Sequence, residues 1–79
     1  MKEFIEFIVK QLVDKPENVV VEETTIDENT IELTLKVDKK DIGKVIGKHG
    51  KHAQSMRVLL TAVGAKENHR TSLKILDNE

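Results

Sequence analysis

There is no cysteine, tryptophan or tyrosine in these 79 residues, and only one proline. Without cysteine there are no disulfides and no thiolate zinc site, and a reducing, intracellular compartment is the default expectation. Both phenylalanines, Phe4 and Phe7, fall near the N-terminus. A module that stacks bases on sheet aromatics needs rings on its strands, so that class is excluded. No apolar run approaches the roughly 18 residues of a membrane span. The stretch Phe4-Ile5-Glu6-Phe7-Ile8-Val9-Lys10 is broken by charge and lacks a small-residue cleavage site, so it does not read as a signal peptide. The length allows one domain, residues 1–79, with about 3–5 kcal/mol from a single core. A pocket deep enough to enclose a small substrate is hard to build at this size. What is present is 38% hydrophobic and 34% charged, the balance of a soluble globular domain.

The net charge of −1 hides a polarised chain. Four lysines against nine acids leave −5 in residues 1–37, and nine Lys or Arg against five acids leave +4 in residues 38–79. From Ile42 to Lys66 there is no acidic residue, while Lys44, Lys48, Lys51, Arg57, Lys66, His49 and His52 all lie there. Such a distribution suggests one face for an anion and another for something else.

Phe4, Ile5, Ile8, Val9 and Leu12 form a helical stripe, with Phe7 and Val13 at its rims, and Pro16 forces an end. A helix is predicted over 2–13. The β-branched run Val19-Val20-Val21, extended by Thr24, Thr25 and Ile26, predicts a strand over 18–26. Ile31, Leu33, Leu35 and Val37 alternate with Glu32, Thr34 and Lys36, predicting a second strand over 30–37 that pairs with the first as an antiparallel hairpin. Asp38 reads as an N-cap, with Asp41 as a weak capping box, for a short helix over 39–46 whose Ile42, Val45 and Ile46 face the core. A longer helix over 51–66 carries the stripe Ala53, Met56, Leu59, Leu60 and Val63, and Gly64 marks its fraying end. Leu73 and Ile75 set a third strand over 70–76. The fold class is α+β: order α-β-β-α-α-β, a three-stranded sheet with helices packed on one face.

The chemistry concentrates in Ile42-Gly43-Lys44-Val45-Ile46-Gly47-Lys48-His49-Gly50-Lys51. Gly47 can end the short helix in the left-handed conformation. Gly50 has no Cβ to keep a phosphate from the backbone. The first N–H groups of the following helix have no partners within it and point toward the loop, where an anion would satisfy them. Lys48, His49, Lys51 and His52 sit at that helix's positive end, where each cation costs about 0.3–1 kcal/mol. A helix selected for stability alone would carry Asp or Glu there. The arrangement makes sense if an external phosphodiester occupies the loop, residues 47–50.

Val45-Ile46-Gly47-Lys48-His49-Gly50-Lys51 resembles the I-G-x-x-G signature of the KH domain, a module that binds single-stranded RNA and DNA. With the element order, the chain is similar along nearly all its length to a single type II KH domain, and in length and segment order to the small bacterial single-KH proteins of the KhpA family. That resemblance implies a cytoplasmic, single-stranded RNA-binding protein that forms a homodimer and pairs with a larger partner of the KhpB (Jag, EloR) family. It implies RNA chaperone or post-transcriptional regulatory activity linked to cell elongation and division, with no cofactor, metal or small-molecule substrate and no enzymatic step. The implied clamp on the sugar-phosphate backbone is Gly47, Lys48, His49 and Gly50. The groove floor would be Gly43 and Ile46, with Ala53 and Met56 from the next helix, and Lys44, Lys51 and Arg57 would meet flanking phosphates. His49 departs from the Lys, Arg or Gln common at that site. A histidine, with an ordinary pKa of about 6.5, would add charge mainly below neutral pH.

Other readings are weaker. Gly43 to His49 differs from a Walker P-loop in glycine spacing and lacks the Ser or Thr that would hold magnesium. His49 and His52 could pair on a metal, but no third ligand lies nearby in sequence. Ser55 with His52 or His69 has neither an oxyanion hole nor a pocket in support. The alternative from another class is a protein–protein module with a non-binding loop, kept open by the acidic half of the chain and by apolar Phe7, Val13 and Leu76 at element edges.

Overall fold

The computed structural model describes residues 1–78. Helix α1, Lys2–Leu12, buries Ile5 and Val9 and ends where Val13 turns extended (φ −100°, ψ 158°). Pro16–Asn18 then makes a single tight turn, closed by the Asn18 N–H on the Lys15 carbonyl (3.0 Å) and the Val19 N–H on that of Pro16 (3.1 Å). The first strand therefore does not begin at residue 18. Proline's fixed φ favours the turn, and the Asn18 side chain donates to Asp38 (3.3 Å) instead of joining a ladder. Strand β1 runs Val20–Asp27.

Strand β2, Thr30–Val37, pairs antiparallel with β1 in the register Val21–Leu35, Glu23–Leu33, Thr25–Ile31. An irregularity between Thr25 and Asp27 leaves Ile26 exposed. Strand β3, Arg70–Asp77, pairs parallel with β2 in the register Leu33–Leu73, Leu35–Ile75. The order β1-β2-β3 makes β2 central. Its Ile31, Leu33, Leu35 and Val37 are all buried, as alternation requires of a strand covered on one face. The expected order of helices and strands is the one observed.

Between β2 and β3 the chain departs from the expected helix over 39–46. Lys39–Asp41 forms one tight turn, and helix α2 spans only Ile42–Ile46. Asp38 caps the tight turn and not α2 itself, accepting from the Lys40 N–H (2.9 Å). Asp41 is no capping box. Its carboxylate turns inward, with the residue 2% exposed, and accepts the backbone N–H groups of Asp14 (3.2 Å) and Lys15 (3.1 Å) just after α1. Val45 is buried, but Ile46 is 37% exposed and not part of the core.

Helix α3, Lys51–Lys66, buries Ala53, Met56, Leu60 and Gly64. Leu59 and Val63, expected in the stripe, are exposed. At 100° per residue they fall about 100° and 60° from Leu60 on the side away from Arg57 and Thr61. Gly64 is not a fraying end. A Cβ there would lie 2.7 Å from the His69 carbonyl oxygen and 2.9 Å from Thr71 Cγ2, so this glycine lets the start of β3 cross tightly under α3. The core is Ile5, Val9, Val19, Val21, Leu33, Leu35, Val37, Val45, Met56, Leu60 and Leu73.

Candidate nucleic-acid interface

Helix α2 ends with the Gly47 N–H on the Gly43 carbonyl (2.9 Å). Gly47 then takes φ 78° with ψ 171°. This is not the left-handed helical cap expected from the sequence. It is an extended backbone with positive φ, which glycine alone adopts without strain. The chain reverses through Lys48–Gly50, closed by the Gly50 N–H on the Gly47 carbonyl (3.0 Å). Within the turn His49 (φ 57°, ψ 26°) and Gly50 (φ 73°, ψ 15°) are left-handed. Lys51 resumes the right-handed helix at once.

The start of α3 is bare. Gly50 occupies the N-cap position, no side chain caps the helix, and its first turn holds no acid. Of the leading amides, those of Gly50 and Lys51 close on the Gly47 and Lys48 carbonyls, and none meets a side-chain acceptor at the electropositive end of this sixteen-residue helix. Lys48, His49 and Lys51 are exposed around it. Among the described residues neither Lys48 nor Lys51 is ion-paired. A Cβ placed on Gly43 or on Gly50 would meet nothing within 4 Å, so both glycines open outward. Together these features place an acid-free, uncapped helix start beside exposed lysines, with open space over Gly43 and Gly50.

The predicted residues divide into three groups. Gly47, Lys48, His49, Gly50 and Lys51 form the loop and the start of α3, and Gly43 and exposed Ile46 lie on the adjoining α2. Ala53 (3% exposed) and Met56 are core residues that support the groove from beneath and do not form its floor. Arg57 stands one and a half turns further along α3, where Nη2 reaches the Leu73 carbonyl on the outer edge of β3 (3.4 Å). It borders a cleft of about 320 Å³ shared with Leu60, Thr61, Thr71 and Ser72.

Lys44 is placed elsewhere. It lies about 160° around α2 from Ile46. Its ammonium pairs with the Asp14 carboxylate beyond α1. That hydrogen bond raises its pKa, against the opposing effect of desolvation and with further help from the charges of Asp14 and Asp41. Sequence reasoning missed Asp14 and Asp41 because their partners lie 26 to 30 residues away in the chain. His52 stays in the first turn of α3, as expected, with its ring nitrogen Nδ1 on the Lys44 carbonyl oxygen (2.8 Å), a partner the sequence did not suggest.

Among the described residues no three metal-ligating side chains converge, and no helix is long and apolar enough to cross a membrane. A family model described as KhpA/KhpB, KH domain matches residues 2–75. A protein of Chlamydia trachomatis serovar D named "RNA-binding protein KhpA" is 48% identical over 77 residues, covering 98% of this chain and 97% of that one. The protein of the same name from Clostridium perfringens is 47% identical over 76 residues, covering 96% and 100%. That of Borreliella burgdorferi is 48% identical over 75 residues, covering 95% and 90%. No solved structure matches the chain.

Proposed function

The chain belongs to the KhpA/KhpB KH-domain family, and from that premise we propose that it binds single-stranded RNA at the Gly47–Gly50 loop. The observation that carries this reading is the uncapped, acid-free N-terminus of α3 behind that loop. A phosphodiester resting there accepts hydrogen bonds from the leading amides. Lys48 and Lys51 neutralise it and its neighbour, and Ile46 gives the bases an apolar surface. A loop of this kind engages about four nucleotides. Arg57 contributes only to a strand that continues along the edge of β3.

A single domain touching so few phosphates binds weakly, and pairing two raises the effective affinity without new contacts. The protein acts as a homodimer in this proposal. The surface that supports it is on α3, where Val58, Leu59 and Val63 are exposed along a helix whose opposite face is already buried. The same proposal includes RNA chaperone or post-transcriptional regulatory activity in the cytoplasm, a partner of the KhpB type and a link to cell elongation and division. No catalytic step is part of it.

The test is a fluorescence-anisotropy titration of a mixed single-stranded RNA pool at several salt concentrations. Neutralising about three phosphates gives a slope of log K against log salt near −2. The double variant Lys48→Asp with His49→Asp should stay folded and dimeric and lose binding. A slope near zero, or wild-type protein that binds no RNA, favours the protein–protein module instead.

A further inference from the structure

His52 is the second residue of α3, and its ring lies between the end of α2 and Gly47. Its Nδ1 lies 2.8 Å from the Lys44 carbonyl oxygen. A carbonyl only accepts, so Nδ1 carries the proton, and in the neutral ring Nε2 is the bare nitrogen. The Lys44 carbonyl is among the last four of α2, which have no N–H partner within their own helix. The imidazole supplies that partner.

The same ring supports the loop from behind. A Cβ built on Gly47 would lie 2.7 Å from His52 Cγ, 2.9 Å from Nδ1 and 2.9 Å from the His52 backbone nitrogen. Glycine at 47 is therefore required twice, by its φ of 78° and by the ring packed where a side chain would go. Two residues on, His49 holds a left-handed conformation without being glycine. Strained backbone of this kind persists only where its surroundings fix it. On its other side Lys44 is tied to Asp14. A continuous set of contacts thus runs from the end of α1 through Asp14, Lys44 and His52 to Gly47.

We propose that His52 is a positioning residue of the loop: its Nδ1–H holds the Lys44 carbonyl and its ring backs Gly47, presetting the turn that aims the uncapped start of α3 at a phosphodiester. The functional readout rests on the RNA-binding reading above, whereas the ring geometry does not. Without the preset turn, only a fraction of molecules present the binding conformation, and the apparent affinity falls by that fraction.

Two measurements test it. Nitrogen-15 NMR of the histidine rings in the RNA-free protein at pH 8 should show His52 as the Nδ1–H tautomer, and an Nε2–H tautomer overturns the proposal whatever RNA does. RNA affinity is then compared for His52→Asn, His52→Gln and His52→Ala, well below each variant's unfolding midpoint. The amide nitrogen of asparagine can occupy the place of Nδ1, while that of glutamine matches Nε2. Asparagine should bind within about 2-fold of wild type, and glutamine and alanine about 3–10-fold more weakly, the scale of one lost hydrogen bond. A merely structural role would lower all three midpoints without separating asparagine from glutamine in affinity. Equal affinities for those two, or wild-type affinity for alanine, overturn the proposal. Should wild-type protein bind no RNA, the RNA reading fails and the tautomer alone decides this one.

Discussion

Replacing Asp41 by alanine should bring this domain close to unfolding, although the residue touches no proposed ligand. Its carboxylate is almost fully buried and accepts two backbone N–H groups, from Asp14 at 3.2 Å and Lys15 at 3.1 Å. Hydrogen bonds to a charged group contribute about 1.5–3 kcal/mol each, and their length and only partly buried donors put these two near the low end. Losing both costs about 3 kcal/mol, from a domain expected to hold about 3–5 kcal/mol in all. For a chain of this size that is a fall of roughly 10–20 °C in Tm. Asparagine keeps one acceptor oxygen but points an N–H at the other donor, so it should lose about half as much. Urea denaturation followed by circular dichroism gives both values. An alanine variant that melts within about 3 °C of wild type would refute the claim that this carboxylate joins the end of α1 to the start of α2.

Gly64→Ala sets a helix-propensity gain of about 1 kcal/mol against a collision with the His69 carbonyl oxygen at 2.7 Å. A backbone atom cannot move aside cheaply, so a net loss of about 1–2 kcal/mol is expected by chemical denaturation. Lys51→Glu replaces a cation by an anion in the first turn of α3 and should raise stability by about 0.5–1.5 kcal/mol while weakening RNA binding at least 10-fold, measured by melting and by anisotropy. The Lys40 N–H, helped by Lys15 and Asn18 against the cost of desolvation, holds the Asp38 carboxyl below its ordinary range, and the Asn29 N–H does the same for Asp27. Such groups stabilise the fold above about pH 4, an effect lost as pH falls through their lowered folded values. The denaturation midpoint of Asp38→Asn should therefore fall less between pH 5 and pH 2 than that of wild type.

Period-two and helical patterns fixed β2, β3, α1 and α3 to within a residue or two because burial on one face imposes those periods directly. The loop was legible because a pair of glycines around two cations is itself the local geometry. The tight turns at Pro16–Asn18 and Lys39–Asp41 were not, because side chains twenty or more residues apart decide them, Asn18 with Asp38 and Asp41 with Asp14 and Lys15. Leu59 and Val63 were assigned to the core because hydrophobicity alone cannot separate a residue facing the sheet from one facing outward on the same helix. Charge alone groups Lys44 with the binding cations, and nothing local shows that it pairs with Asp14 or that the His52 ring meets the Lys44 carbonyl. The directions of both side chains depend on helix phase and on partners the sequence order does not reveal.

Those long-range contacts explain how so short a helix can carry the loop. Five residues of α2 have no stability as an isolated helix. The next helix starts without a cap and with cations at its electropositive end, which opposes folding. The compensating contacts lie on the other side of α2: Asp38 on Lys40, Asp41 on the chain after α1, Asp14 on Lys44, and His52 on the Lys44 carbonyl. Every carboxylate in that set precedes Ile42, and none follows before Glu67. The charge asymmetry along the chain is thus a division of labour: acids hold α2 from one side and leave the other free of any internal anion that could compete with a phosphate. An acid moved across that boundary would stabilise the fold through the same groups an RNA strand needs.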